Sequence, residues 1–335
     1  MSTGVTLAAI AQTLGVHHST VSRALRRDPQ LPPATWEKVQ TVARELGYEP
    51  NAHARAMAFR RRVTRPVSEH GAIGILARQE RHKDIPRTQL ANYCREFGYQ
   101  AEVFYYETSE LSADRLTRIL KAQGIAGLLI IPPRSKIREP KRLKLDWSPF
   151  PAVVMGHSLF WPPLHRVADN QFRNIRYLIR KLHSLGYRRI GLFAEAELIR
   201  DPDNGWLGGY LAETQLRRQP SRILLRERDA YDPPTIRNWI KSEKLEAVIT
   251  DHEYAAARIA ELGNRTVPEE LGIASLYTGR EGFSGIDSRF AQIERSSVEY
   301  LVHLIHSHQR GIPEFPQRVL LEGTWFEGNS TRRIN

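Results

Sequence analysis

Three short runs of apolar residues at helical spacing mark the start of the chain. The first run repeats at i, i+3, i+4 and i+7, which is one buried helix face, and comprises Leu7, Ile10, Ala11 and Leu14. Thr6 precedes it as a candidate cap, and Gly15 ends it. The second run comprises Val21, Ala24 and Leu25, and the third, after Pro32 and Pro33, comprises Trp36, Val39, Val42, Ala43 and Leu46. This pattern predicts three short helices with a tight turn between the first two, a helix-turn-helix unit.

From Ala72 onward, strand-like and helix-like runs alternate. Predicted strands cover 72–77, 100–106, 126–131, 152–155, 166–168, 189–194, 222–226, 247–250 and 272–276. Predicted helices cover 88–97, 113–123, 170–185, 205–217, 234–244, 254–262 and 293–309. This alternation indicates an α/β fold of parallel βαβ units in two halves, behind a small all-α head. Ligands of such sheets bind at the carboxyl ends of the strands, so we expect a cleft between the two lobes.

Composition excludes several classes of protein. The 335 residues are 41% hydrophobic and 26% charged, which is typical of folded soluble chains. No apolar run approaches the roughly 18 residues of a membrane span, and the start of the chain lacks the basic and apolar segments of a secretory signal. The single cysteine, Cys94, excludes an internal disulfide framework, and its amphipathic surroundings predict a buried, inert thiol. We therefore expect a cytoplasmic protein.

Charge is concentrated at the start of the chain. The net charge is +12, and residues 1–62 hold nine Lys or Arg against four Asp or Glu. Such a basic head indicates binding of a polyanion, although a merely basic soluble protein has the same balance. In helix-turn-helix units the start of the second helix enters the DNA major groove. The side chains there suit base edges and phosphates: His18, Ser19, Thr20, Ser22 and Arg23.

One set of residues in the head forms a recognisable signature and comprises Val5, Thr6, Ala11, Gly15, Val16, Thr20, Val21, Ser22, Arg23, Leu25, Thr35, Lys38, Val39, Leu46, Gly47, Tyr48, Pro50 and Asn51. By these residues, the segment over 5–58 resembles the DNA-binding head of the LacI/GalR repressor family. Weaker matches follow in the body: HRVADN at 165–170, LHSLGYRRIGLF at 182–193, NGWLGGYL at 204–211 and VPEELGIASL at 267–276. The resemblance implies a helix-turn-helix domain over 1–49, a hinge helix over 50–62, and a bilobed, periplasmic-binding-protein-like body for effector binding and dimerisation over 63–335.

The resemblance also implies roles for single residues of the head. It places base reading at His18, Ser19 and Arg23, and phosphate contacts at Thr6, Thr20, Ser22, Arg26 and Asn51. Two positions depart from the family pattern, because Arg26 replaces the usual Asn and Pro32 the usual Ser. We expect these departures to shift the phosphate contacts without abolishing binding.

A short alanine-rich segment follows Pro50. Isolated helices of about eight residues are marginal in water, so we expect this hinge to be helical only when packed. The resemblance implies that it folds in the minor groove, with Met57 as the apolar wedge and Arg55 on the flanking phosphates. The alternative is a plain basic linker.

The predicted cleft departs from the family pattern. Trp206 stands where sugar-binding members carry an Arg, and Asp251 where they carry an Asn. Tyr277 and Thr278 stand where they carry an acidic pair. An aromatic pair can stack on a sugar while Asp251 accepts hydroxyl hydrogen bonds, so the candidate effector residues are His157, Trp206, Asp251 and Tyr277. Alternatively, Trp206 fills the space that an Arg left, and the effector site is decayed.

No catalytic motif points to an enzyme. The sequence lacks GxGxxG, P-loop, HExxH and GxSxG patterns, and we expect no cofactor. His303 and His306 share a helix face but have no further ligand, so we expect a polar helix face and no metal site. The expected function is a transcriptional repressor that binds a palindromic operator as a homodimer under control of a small-molecule effector, such as a sugar. The alternatives are a regulator controlled by a protein partner, a non-specific architectural DNA binder, and a ligand sensor without DNA function.

Overall fold

A helical head and a body of two sheets make up the computed structural model. It describes residues 5–25, 31–48, 71–77, 87–105, 112–132, 145–159, 161–199, 204–227, 230–278 and 282–334. The head contains α1 (Leu7–Leu14), α2 (His18–Leu25) and α3 (Pro33–Glu45).

The core of the head confirms the predicted apolar faces. Its buried side chains are Ile10, Ala11, Val21, Ala24, Val39 and Ala43. Thr6 Oγ1 accepts a hydrogen bond from the Ala9 N–H at 3.3 Å, so Thr6 caps α1 as predicted. Gly15 ends that helix in the left-handed region at φ +62°, where a side chain would be strained. Leu46 departs from the prediction, because it follows the last turn of α3 and is 39% exposed.

Lobe 1 is built on the first sheet. Its strands are β1 (Ala72–Ala77), β2 (Gln100–Tyr105), β3 (Ile125–Ile130), β4 (Ala152–Met155), β5 (His165–Asp169) and β11 (Arg318–Leu321). Its helices are α4 (Arg87–Glu96), α5 (Ala113–Ala122) and α11 (Phe290–His306). The strand order is β11-β5-β4-β3-β1-β2, and every pairing in it is parallel.

Lobe 2 is built on the second sheet. Its strands are β6 (Ile190–Glu195), β7 (Ile223–Arg226), β8 (Ala247–Thr250), β9 (Gly272–Ser275), β10 (Ser284–Asp287) and β12 (Thr324–Phe326). Its helices are α6 (Gln171–Ser184), α7 (Ala196–Ile199), α8 (Gly205–Leu216), α9 (Pro233–Ser242) and α10 (Glu253–Leu262). The order is β12-β10-β9-β8-β6-β7, with β10 and β12 antiparallel and the other pairs parallel.

Helices cover both faces of each sheet. In β1, Ile73 and Ile75 belong to a core that includes residues of α4 and α11, whereas Leu76 belongs to a second core with residues of α5. Because successive side chains of a strand point to opposite faces, β1 contributes to two cores. In β8, Ile249 belongs to one core of lobe 2 and Val248 to the other. Strands buried on both faces are typical of doubly wound α/β sheets.

Three of the described segments cross between the lobes. The chain leaves lobe 1 at Asn170, returns at 288–289, and crosses again at 322–323. The Asn170 N–H donates to the Leu321 carbonyl at 2.7 Å, and the Gly323 N–H donates to Asn174 Oδ1 at 2.9 Å. Two of the crossing segments are therefore tied to each other.

The structure confirms the alternation of strands and helices predicted for the body and adds elements that the pattern did not predict. Those elements are α7, β10, β11 and β12. The predicted helix over 293–309 lies instead at 290–306, and His308 just beyond it has a φ of +56°, which an α-helix cannot contain. Cys94 is fully buried as predicted, and burial raises the pKa of its thiol to about 12. Among the described helices, none combines the length and the apolar character that crossing a bilayer requires.

Candidate DNA-binding head and inter-lobe cleft

The exposed face of α2 carries the predicted DNA-reading side chains. Val21 and Ala24 are fully buried and fix the inner face of the helix. His18 and Ser19 are exposed on its first turn, whereas Arg23 is half-buried further along. The structure therefore presents the predicted polar residues around the outer side of one helix, which a three-helix core supports from behind.

The turn before α2 fixes where this helix begins. The Val16 N–H donates to the Ala11 carbonyl at 3.0 Å, and the Thr20 N–H donates to the His17 carbonyl at 2.9 Å. His17 Nδ1 lies 2.8 Å from Ser19 Oγ. No partner for His17 was predicted from the sequence.

Part of the predicted DNA contact lies outside the described residues. This holds for Arg26, Asn51, Arg55 and Met57, and for the whole predicted hinge at 50–62. Of the other predicted phosphate contacts, Thr6 is exposed, whereas Thr20 and Ser22 are half-buried.

In lobe 1, the side of the cleft is formed by the segments that follow β4 and β5. His157 Nε2 lies 2.9 Å from the Asp169 carbonyl oxygen and 3.2 Å from Asp169 Oδ1. Arg166 holds the loop that carries His157, because its guanidinium donates to the carbonyls of Gly156 at 2.8 Å and Leu159 at 2.6 Å, and also to the His157 carbonyl. A buried arginine thus fixes the histidine loop through its backbone.

Tyr277 of lobe 2 reaches across to this cluster. Its hydroxyl donates to Asp169 Oδ1 at 3.2 Å, so the carboxylate of lobe 1 binds a side chain from the other lobe. Asp169 Oδ2 is buried and has no hydrogen-bond partner among the described residues. Trp206, on the first turn of α8, lies edge-on to the Tyr277 ring with centroids 5.3 Å apart and is 3% exposed. Its burial supports the alternative in which Trp206 fills the space that an Arg left.

Asp251 is committed to an ion pair inside lobe 2. It is fully buried, and its Oδ2 accepts from Arg226 Nη2 at 3.1 Å and from the Glu195 N–H at 2.8 Å. Arg226 Nη1 also lies 3.7 Å from Glu195 Oε2, and its guanidinium stacks 4.6 Å from the centroid of Tyr231. A buried charge paired in this way is costly to expose, so Asp251 is committed to Arg226 and is not available to a ligand as a free acceptor.

A metal does not fit this cluster. Glu195, Asp251 and His252 bring ligand atoms within 4.8 Å of one another. However, the Arg226 guanidinium already pairs with both carboxylates, and His252 Nδ1 accepts from the Ala255 N–H at 3.0 Å. An imidazole nitrogen that accepts a hydrogen bond has no lone pair left for a metal.

Comparison with known proteins gives matches over the head and over the body. The family model for bacterial regulatory proteins of the lacI family matches residues 6–51. The regulator PtxS of Pseudomonas plecoglossicida is 28% identical over 56% of this chain and 53% of its own length. The regulator CelR of Thermobifida fusca is 29% identical over 56% of this chain and 55% of its own length. The alignments therefore span about half the length of these relatives.

Solved structures match nearly the whole chain. The lac repressor dimer bound to operator and the anti-inducer ONPF is 18% identical with a TM-score of 0.57, covering 98% of this chain and 99% of the other. A complex of the regulator CelR with cellobiose is 19% identical with a TM-score of 0.56, covering 97% and 99%. At this identity the likeness establishes the fold, which is the predicted head with a bilobed, periplasmic-binding-protein-like body.

The lacI family model therefore covers the head, and the solved structures share the fold of the whole chain.

Several residues of the candidate site were not predicted from the sequence. Asp169, Arg166 and Arg226 were not singled out, although each lies on a strand that was predicted. Their position along the strands could have indicated two of them. Asp169 and Arg226 are the last residues of β5 and β7, and ligands of parallel sheets bind at the carboxyl ends of the strands. Of the four predicted effector residues, His157 and Tyr277 meet at Asp169, Trp206 packs behind Tyr277, and Asp251 stays with Arg226.

Proposed function

We propose that this LacI-family chain is a sequence-specific DNA-binding transcriptional regulator that represses from a palindromic operator as a cytoplasmic homodimer. The observation that carries the proposal is the exposed start of α2 on a three-helix core, in a segment that matches the lacI family model. That is the arrangement in which a recognition helix enters the major groove. The relatives PtxS and CelR are named as transcriptional regulators, which supports a non-enzymatic role.

The proposed division of labour follows the chain. Residues 1–49 read the operator, 50–62 form the hinge helix, and 63–335 bind the effector and dimerise. His18, Ser19 and Arg23 read bases, and the proposed phosphate contacts are Thr6, Thr20, Ser22, Arg26 and Asn51. Arg55 and Met57 act in the minor groove. The homodimer is supported by the lac repressor structure, which is described as a dimer bound to operator.

The proposed effector is a small molecule of the sugar type, held in the cleft between the lobes. His157 and Tyr277 contact it from opposite lobes, because their side chains already converge on Asp169. Trp206 supports the Tyr277 ring, and Asp251 contributes through Arg226. The solved complex of CelR with cellobiose supports a sugar in a body of this fold.

Effector control acts through the three crossings between the lobes. An effector shifts the equilibrium between two body states only through its different affinity for each of them. A coupling of about 1–3 kcal/mol between effector and operator gives a strong response. Because the crossings tie the lobes together, a change of angle between them is transmitted through the whole body to the hinge and the head.

The test of operator recognition is a binding titration on selected genomic DNA fragments at fixed, near-physiological salt. We expect one palindromic site that is preferred at least about a thousandfold over bulk DNA. Arg23→Ala abolishes that preference, because Arg23 lies on the reading helix. Arg44→Ala is the matched control, since it removes the same charge from an exposed position on α3.

Uniform binding to all fragments contradicts the regulator and leaves the architectural DNA binder. Equal losses in Arg23→Ala and Arg44→Ala would show that charge alone, and not base reading, sets the affinity.

The test of effector control repeats the titration with a library of sugars. We expect one sugar to change the operator affinity of the wild type, and Tyr277→Phe to weaken that response because the bridge to Asp169 is lost. Tyr254→Phe is the control, since Tyr254 is a tyrosine of lobe 2 that is 56% exposed and packs on Tyr231. A specific operator that no sugar affects would indicate the decayed pocket or a protein partner.

A further inference from the structure

In the first turn of α2, a contact with His17 orients the exposed hydroxyl of Ser19. His17 Nδ1 lies 2.8 Å from Ser19 Oγ and 3.4 Å from the Ser19 backbone nitrogen. The His17 ring lies against the His18 ring, with centroids 4.2 Å apart. Both His17 and Ser19 are exposed, so the pair lies on the surface that faces DNA in the proposed function.

The backbone contact decides which way the protons point. A backbone N–H can only donate, so His17 Nδ1 must be the acceptor and carries no proton. A nitrogen without a proton can only accept, so the Ser19 hydroxyl donates to it as well. The Ser19 proton is therefore directed at His17, and the lone pairs of Oγ are the part left for an outside partner.

We propose that His17 makes Ser19 a hydrogen-bond acceptor toward the operator, so that Ser19 selects a base that presents an amino group in the major groove, which is adenine or cytosine. A free serine hydroxyl both donates and accepts, and so it pairs with any base edge in the major groove. With its proton held by His17, it fits the amino donors of adenine and cytosine and not the acceptor edges of guanine and thymine. His17 is thus a positioning residue for base recognition, and the inference rests on the proposed function.

The arrangement also explains why a histidine serves at this position. Nδ1 accepts from the N–H of the second helical residue, which is the role of an N-cap side chain. The same atom therefore caps the start of the recognition helix and orients a hydroxyl in its first turn.

The experiment selects binding sites from a random duplex library with the full-length protein, followed by sequencing. Ser19→Ala first identifies the half-site position that loses its preference. At that position we expect the wild type to prefer adenine or cytosine by about three- to tenfold, the worth of one hydrogen bond. Replacing adenine by purine, which lacks the amino group, should lower the affinity of an adenine-bearing operator by the same factor.

Two variants separate orientation from helix capping. His17→Asn retains an acceptor oxygen that caps the helix and receives the Ser19 proton, so it should keep the preference. His17→Ala frees the hydroxyl to rotate, so it should accept all four bases within about threefold of one another. Thermal unfolding of each variant shows whether the head remains folded.

Preference for guanine or thymine at the Ser19 position would overturn the inference. So would an unchanged preference in His17→Ala with an unchanged melting temperature. Enrichment of a palindrome alongside either result leaves the proposed function standing, whereas no enrichment of any sequence overturns both.

Discussion

At the scale of single residues, Glu294 is an ionisable group buried without a partner. It lies near the start of α11 and is 1% exposed, and neither carboxylate oxygen has a hydrogen-bond partner in the described part of the chain. Desolvation by burial raises the pKa of this carboxyl to about 7. The periodicity of the sequence began the predicted helix at Ile293 and gave no sign that Glu294 would face inward.

This burial predicts a pH-dependent stability. The unfolded carboxyl ionises near its ordinary pKa of 4.5, whereas the folded one keeps its proton up to about pH 7. The stabilisation is therefore fully present below pH 4.5 and is lost as the pH rises to about 7. The loss is about 3 kcal/mol. We expect Glu294→Gln to remove this part of the pH dependence, measured by urea unfolding across that range.

Glu299→Gln serves as the control, because Glu299 is an exposed residue of the same helix that pairs with Arg295. If the free energy of unfolding changed with pH by the same amount in the wild type and in Glu294→Gln, the Glu294 carboxyl would not be held neutral in the folded protein.

At the scale of elements, α6 and α8 approach each other closely enough to require a glycine. A Cβ built on Gly209 would lie 2.5 Å from Ile175 Cγ2 and 2.6 Å from the Phe172 carbonyl oxygen. A Cβ on Gly208, the neighbouring residue, would lie no closer than 3.8 Å to the Phe172 ring. The two glycines therefore share a helix and differ only in the space beside them.

An ion cluster reinforces the same helix pair. Glu213 on α8 is 3% exposed and accepts from Arg176 and Arg180 on α6, each at 3.1 Å. Burial raises the pKa of this carboxyl, but the hydrogen bonds from Arg180 and Arg176 outweigh it and hold the pKa below its ordinary value. Both features make α6 and α8 one rigid unit that carries Trp206 at its cleft end.

The two glycines give a matched pair of substitutions. We expect Gly209→Ala to destabilise the protein by about 1–3 kcal/mol, because the helices must separate to admit the methyl group. Gly208→Ala should be neutral or stabilise by up to about 1 kcal/mol, since alanine is the better helix former. Denaturant unfolding of both variants measures the difference in the free energy of unfolding. Equal changes in Gly209→Ala and Gly208→Ala would contradict the close approach of α6 and α8 at Gly209.

At the scale of the whole molecule, the hydrogen bond from Tyr277 to Asp169 joins the two lobes across the cleft. Tyr277 and Asp169 are 108 positions apart in sequence, and each ends a strand region of a different sheet. The three crossings keep the lobes connected, while this contact favours the arrangement in which they meet. An effector between the lobes acts on the same residues.

Loss of this bridge should shift the body toward a more open arrangement. We expect Tyr277→Phe, which keeps the ring against Trp206, to lower energy transfer between dyes at Arg118→Cys on lobe 1 and Lys241→Cys on lobe 2. Both label positions are exposed, and the native Cys94 is buried, so it should escape labelling. Tyr254→Phe in the same labelled background should leave the transfer unchanged. A change of the same size in that control would show that the effect does not come from the bridge.

The sequence by itself determined the local architecture. The helical spacing of apolar residues fixed the three helices of the head, and the alternation of runs fixed the order of strands and helices in the body, because side-chain periodicity reports which face of an element is buried. The exposure of His18 and Ser19 at the start of α2 followed from the same reasoning, since Val21 and Ala24 fix the buried face of that helix. Thr20, Ser22 and Arg23 on the same helix are half-buried. Short strands such as Thr324–Phe326 were not predicted, because three residues are too few to show an alternation of apolar and polar positions.

Only the tertiary structure decided the partners of the cleft residues. Asp251 is typical of a ligand acceptor by position, yet folding pairs it with Arg226 inside lobe 2. Asp169 belongs to the candidate site because folding places the Tyr277 hydroxyl of the other lobe within hydrogen-bond distance of it. Trp206 proved to be buried, since the packing of α8 on lobe 2 leaves its ring 3% exposed. Periodicity indicates which side of an element faces the interior. Which distant side chain contacts that side depends on how the elements pack.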